Sequence, residues 1–127
     1  MRLRVARPSE APRLARLAGV PAAALGGLHV AVAEDAAGTS GFMGLSEAGR
    51  LDPVWLAEGD RGRAAATALH DAIEAEALRS GLSMLGASVS ADLRPFLECR
   101  GWRTVAEADG RVSMERTSAG REPGDVI

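Results

Sequence analysis

Two hydrophobic periods alternate along the chain, and the switches between them mark out its elements. Arg2 to Ala6 alternates residue by residue, as a strand with one face on a core does. Pro8-Ser9-Glu10 then reads as a helix start, with proline early and an acid in the first turn. Leu14, Leu17 and Ala18 fall on the core side of that helix, which ends by Gly19 or Pro21. Residues 22–27 hold only alanine, leucine and glycine, too weak a pattern to predict a second helix. His29–Ala33 reads as a strand, Glu34–Ser40 as a polar turn, and Gly41–Leu45 as the returning strand of a hairpin. A second turn, Glu47-Ala48-Gly49-Arg50, leads into a strand over Leu51–Ala57.

The strongest helical period covers 61–80. Ala66, Leu69, Ile73 and Ala77 share one face, and Arg63, Thr67, His70 and Glu74 share another, which reads as solvated. Gly81 closes the helix. Leu82–Ala87 is a buried strand, Asp92–Arg100 a short helix, and Trp102–Ala106 with Arg111–Thr117 a closing hairpin across Glu107-Ala108-Asp109-Gly110. The predicted order is β α β β β α β α β β, an α/β (α+β) domain over 1–117. Residues 118–127 are rich in Ser, Gly, Arg, Glu, Pro and Asp and predict a disordered tail.

Composition narrows the class. The chain has 127 residues, 46% hydrophobic and 25% charged, which suits a single globular domain. No apolar run is long enough to span a membrane, and Met-Arg-Leu-Arg-Val lacks a signal-peptide core, so a cytoplasmic protein is expected. A net charge of −2 gives no electrostatic case for nucleic acid. All 15 basic residues are arginines, and no tyrosine is present to act as an acid. Cys99 is the lone cysteine and reads as a buried or half-buried structural thiol. His29 and His70 stand at no metal-ligand spacing, so no metal is expected.

Residues 59–67, Gly-Asp-Arg-Gly-Arg-Ala-Ala-Ala-Thr, carry the sharpest chemical signal. They join an apolar strand to a long helix through a small-residue turn. Backbone N–H groups at such a helix start, together with the positive end of its dipole, attract an anion such as a phosphate.

In this context Arg61-Gly62-Arg63-Ala64-Ala65-Ala66 resembles the Arg/Gln-x-x-Gly-x-Gly/Ala motif of the GNAT superfamily of acyl-CoA-dependent N-acyltransferases. Two further segments carry the resemblance: Leu93-Arg94-Pro95-Phe96-Leu97-Glu98-Cys99-Arg100-Gly101-Trp102, and Met114-Glu115-Arg116 at the end of the last strand. Together they cover roughly residues 2–117. The resemblance implies a mixed, mainly antiparallel sheet of about seven strands flanked by helices. It also implies acetyl-CoA as cofactor and a primary amine, on a small molecule or a protein, as acceptor.

The family pattern assigns roles residue by residue. The pyrophosphate would sit on the N–H groups of residues 62–67, namely Gly62, Arg63, Ala64, Ala65, Ala66 and Thr67, with the Thr67 hydroxyl helping and Arg61 and Arg63 adding positive charge. Backbone N–H groups at Leu56-Ala57 would polarise the thioester carbonyl, and the strand after the long helix would splay away to admit the cofactor. Ser90 stands where many members place an asparagine near the pantetheine arm. Phe96 and Trp55 are candidates to line the acyl channel, with core packing the alternative reading.

The attacking amine must lose a proton, since an alkyl ammonium has a pKa near ~10.4. Asp52 is the first candidate base, with Glu34 and Glu47 behind it. Because Asp52 precedes Pro53, a plain turn role stays open. Three departures from the family stand out: Ala64 replaces the central glycine, Leu97 replaces the tyrosine that often serves as general acid, and the segment before His29 is short. A second subunit is expected to supply the missing wall. The departures also leave open a non-catalytic module that binds acyl-CoA or another partner.

Overall fold

The computed structural model describes residues 1–117, so the expected tail lies outside the described residues. Seven strands form one sheet in the order β1-β2-β3-β4-β5-β7-β6. They are β1 (Arg2–Val5), β2 (His29–Asp35), β3 (Gly38–Leu45), β4 (Arg50–Leu56), β5 (Met84–Ser90), β6 (Arg103–Ala108) and β7 (Arg111–Thr117). The α-helices are α1 (Ala11–Ala18), α2 (Asp60–Arg79) and α3 (Arg94–Cys99). Short 3-10 turns occupy Pro8–Glu10, Ala22–Leu25 and Ala91–Leu93. The predicted order of strands and helices stands, with boundaries moved by a few residues.

Strand alternation divides the core into two layers. Ala31 and Ala33 of β2, Met43 and Leu45 of β3, and Leu51 of β4 turn to one face, which α2 covers through Ala65, Leu69, Ile73 and Ala77. Leu85, Ala87 and Val89 of β5, Val112 and Met114 of β7, and Leu97 of α3 continue this layer. On the opposite face Val30, Val32 and Phe42 pack against Leu14 and Ala15 of α1 and Leu25 of the 22–25 turn. That second layer draws nothing from β5, β6 or β7, so beyond β4 this face has no helix over it among the described residues.

Two expected core positions change. The buried stripe of α1 contains Leu14 and Ala15, while Leu17 is exposed, because the helix meets the sheet one residue further round than its leucines suggest. Cys99 is exposed on α3. Every strand pair is antiparallel except β4–β5, which runs parallel.

Candidate functional site

The parallel pair β4–β5 holds together only at Arg50↔Gly86 and Leu51↔Ala87. Beyond these residues β4 continues to Leu56 and β5 to Ser90 without pairing, so the two strands part toward their C-terminal ends. Each strand keeps its other neighbour: Val54, Trp55 and Leu56 pair with Met43, Phe42 and Gly41, and β5 pairs with β7 along its whole length. The result is an open cleft in the sheet with a free backbone edge on β4.

Which groups line that edge follows from strand alternation. Ala57 donates its N–H to the Ser40 carbonyl at 2.9 Å, toward β3. Leu56 and Val54 therefore turn their N–H and C=O groups the other way, into the cleft. Of the two donors expected at Leu56-Ala57, Leu56 is free to polarise a carbonyl and Ala57 is already used. At the foot of the cleft the β3–β4 register slips between Met43 and Leu45, a bulge containing Asp52 and Pro53. The Asp52–Pro53 peptide is cis, and the Asp52 side chain is exposed there.

Helix α2 begins where β4 ends. Its N-cap is Gly59 at φ 72°, a backbone setting that costs glycine little. Gly62 is required for a different reason. A Cβ at that position would lie 1.8 Å from the Ala57 carbonyl oxygen, so only a bare α-carbon lets the first helical turn rest on the end of β4. The N–H groups of Gly59, Asp60, Arg61 and Gly62 donate to no backbone carbonyl among the described residues, whereas Arg63 already donates to Gly59. Of the N–H groups expected at 62–67 only that of Gly62 is open, together with those of 59–61, because from Arg63 onward each N–H is taken inside the helix. Ala64, Ala65, Ala66 and Thr67 contribute no backbone donor; Ala65 and Ala66 are buried, and Ala64 and Thr67 are exposed. Ala64 has a negative φ, so its methyl is unstrained.

The two arginines of this turn diverge. Arg61 reaches back to the β2–β3 hairpin: its Nε lies 2.8 Å from Asp35 Oδ2, and its Nη2 lies 3.0 Å from Asp35 Oδ1 and 3.2 Å from the Thr39 carbonyl. The guanidinium holds the Asp35 carboxyl below its usual range, and the carboxylate in turn neutralises Arg61. Arg61 therefore pins a hairpin to the helix rather than lending free charge to a phosphate. Arg63 pairs with Asp60 across one turn and is otherwise solvated. Ser90 accepts a bond from the Asp92 N–H at 3.4 Å, capping the turn into α3. Glu34 is held ionised by Arg4, which spans Glu34 and Glu10, and is tied up as a base.

The least anticipated feature is His70, fully buried instead of solvated. It stands four residues after Ala66 and three before Ile73, which puts it at the edge of the buried stripe and not on the solvated face to which its polarity assigns it. Its Nε2 accepts the Trp102 indole N–H at 2.8 Å, and this bond, shorter than the 3.3 Å approach of Arg100 Nε to Nδ1, assigns the ring proton to Nδ1, 2.9 Å from Glu74 Oε1. Phe96 of α3 meets the ring edge-on, with centroids 5.8 Å apart, and Trp102 does so at 6.1 Å. Burial lowers the His70 pKa to about 4, so the ring is neutral at pH 7.

Burial also works against the Glu74 carboxylate, but Arg116 at 2.9 Å and Arg100 at 3.2 Å outweigh it and hold it below its usual range. His70, Asp71 and Glu74 bring three ligand-type atoms within 4.8 Å of one another. Arg100 bonds both carboxylates, so a guanidinium already supplies the positive charge that a cation would bring.

Comparison with known proteins fits this geometry. No family model matches the chain, and no curated protein sequence matches it. A GCN5-related N-acetyltransferase structure from Rhodopseudomonas palustris matches with a TM-score of 0.76 at 20% identity, over 91% of this chain and 94% of that one. An aminoglycoside 6'-N-acetyltransferase complexed with coenzyme A matches with a TM-score of 0.75 at 16% identity, over 96% and 99%. A ribosomal-protein-alanine N-acetyltransferase from Brucella melitensis matches with a TM-score of 0.69 at 15% identity, over 92% and 99%. The chain therefore has the fold of the GNAT N-acetyltransferases.

Proposed function

We propose that this protein is an acetyltransferase that moves an acetyl group from acetyl-CoA to a primary amine. The single observation that carries the reading is the parting of β4 from β5 directly below the uncapped N–H groups of α2. The residues present suit coenzyme A. The free edge of β4 offers Val54 and Leu56 to an amide-bearing arm, as an added strand would use them. Gly59 to Gly62 would offer backbone donors to a pyrophosphate, and Arg63, exposed and held only by the exposed Asp60, would swing to add charge.

Acetyl-CoA would supply the activated acetyl thioester. The Leu56 N–H donates to the carbonyl oxygen as negative charge develops on it. Asp52, exposed at the bulge, takes the proton that the acceptor ammonium must lose. The amine nitrogen would then bond to the carbonyl carbon and release its second proton to solvent as the C–S bond breaks and the thiolate leaves. Leu97 is buried and carries no proton, so water protonates the thiolate in bulk.

The acceptor approaches the sheet face that no helix covers beyond β4. It is an amine of a small molecule or of a protein, and a second copy of the chain would complete that side. Leu97 also favours a second reading, a module that binds acyl-CoA without turning it over.

Calorimetry with acetyl-CoA and thiol release across an amine panel test both readings. Binding with turnover supports the enzyme. Binding without turnover above background supports the module. No heat at high micromolar acetyl-CoA refutes both.

A further inference from the structure

Just as α2 follows the parted end of β4, α3 follows the parted end of β5 through the Ala91–Leu93 turn, and its Leu97 shares a core layer with Ala65, Leu69 and Ile73 of α2. Side chains bridge these two helices, and the bridge converges on His70. From α3 and the turn after it come Phe96, Arg100 and Trp102; from α2 come His70, Asp71 and Glu74; from β7 comes Arg116.

The ring's two nearest partners are both met in one state of the imidazole only: Nε2 accepts from Trp102 at 2.8 Å while Nδ1–H faces Glu74 Oε1 at 2.9 Å, and the Arg100 Nε–H, 3.3 Å from Nδ1, goes unmet at the ring. The other neutral tautomer would set two N–H groups against each other at Trp102, and so would the imidazolium. A buried aliphatic side chain would fill the space but leave the indole N–H and one Glu74 bond unpaired, which is costly inside a core.

We propose that His70 is a positioning residue that touches neither cofactor nor acceptor. In its neutral Nδ1–H form it clamps α3 at a set distance from α2, and so sets the width of the cleft that takes the acyl-CoA. This rests on the acetyl-CoA reading above. It adds a role for a residue nearly three turns away from the helix start. The charged groups facing the ring are Glu74 and Asp71 on α2, Arg100 after α3, and Arg116 on β7.

The test uses the full chain, with His70→Gln, His70→Leu and Trp102→Phe. The glutamine amide can accept from Trp102 and cannot titrate; the leucine can do neither; the phenylalanine keeps a ring while removing the donor. Nitrogen-15 spectra of the histidines at pH 7 should show His70 protonated on Nδ1 and bare on Nε2. An Nε2–H tautomer or an imidazolium overturns the proposal.

Hydrogen exchange in the ligand-free protein reads the clamp directly. The amides of Gly101 and Trp102 should exchange at least about tenfold faster in His70→Leu and Trp102→Phe, with those of β2 and β3 unchanged. His70→Gln should remain within about threefold of wild type. Coenzyme A affinity should follow the same order, falling about tenfold in the leucine and phenylalanine variants.

Equal exchange in all four proteins overturns the clamp. Faster exchange with unchanged coenzyme A affinity overturns its link to cleft width. A wild type that binds no coenzyme A refutes the acetyl-CoA reading and the cleft-width role with it, while exchange still decides whether the clamp exists. Should His70→Leu fail to fold, Trp102→Phe decides alone.

Discussion

Replacing Gly62 by alanine tests the site more sharply than any other single change, because two physical effects of opposite sign compete. Alanine is the better helix former, and in an ordinary helix interior Gly→Ala gains about 1 kcal/mol. Here the new methyl would lie 1.8 Å from the Ala57 carbonyl oxygen, with the Ala57 carbonyl carbon at 2.9 Å and its nitrogen at 3.3 Å. All three are backbone atoms, so no side chain can swing aside. Restoring an ordinary contact needs a displacement of about 1.6 Å between the end of β4 and the start of α2.

That displacement breaks or stretches the 2.9 Å bond from Ala57 to Ser40, at about 1 kcal/mol, and adds overpacking of roughly 1–3 kcal/mol. The net is a loss of about 1–3 kcal/mol. For a domain of this size that lowers Tm by roughly 10 °C. Calorimetric melting at pH 7 measures it. Coenzyme A affinity should fall at least about tenfold in the same variant, because the N–H groups of 59–62 move by more than a hydrogen bond tolerates. A Tm equal to or above wild type would refute the close-approach reasoning for Gly62.

Four further outcomes follow from the same structure. Ala64→Gly should lower Tm by the ordinary helix-propensity loss, about 1 kcal/mol; a rise in Tm would mean that the Ala64 methyl is strained after all. His70 is neutral when folded and its pKa is lowered to about 4, so its contribution is present above pH 6.5 and lost as pH falls toward 4. Denaturant titrations should show this as on the order of 3 kcal/mol across that window, absent from His70→Gln. Asp52→Asn should cut kcat/KM for amine acetylation about 10²–10⁴-fold with coenzyme A affinity unchanged, and an unaltered kcat/KM would remove Asp52 as the base. Because Asp35 neutralises Arg61, Arg61→Ala should leave calorimetric coenzyme A affinity within a few-fold, while Arg63→Ala weakens it in a salt-dependent way; the reverse order would refute the division of roles.

Local pattern by itself determined the order of elements, the two-faced strands β2 and β3, the buried stripe through Ala66, Leu69, Ile73 and Ala77, and a helix start within 59–67. These follow from periods of 2 and 3.6 and from turn chemistry, which neighbours along the chain settle. The motif residues also placed the fold family, since a helix start after an apolar strand is itself local.

Tertiary structure decided what depends on partners far apart in sequence. Where β4 parts from β5 is set by a register between Leu51 and Ala87, and strand propensity carries no trace of it. Arg61 reads as a phosphate ligand until Asp35, on a hairpin 26 residues away, claims its charge. Ala57 loses its donor to Ser40 on the neighbouring strand, and Gly62 shows its purpose only where the Ala57 carbonyl lies beneath it. His70 sat at the right spacing for burial. Its polarity argued against that until Trp102, 32 residues on, supplied the N–H that makes burial tolerable. Periodicity reports which face of an element is apolar, but the use of each polar group depends on what the fold sets against it.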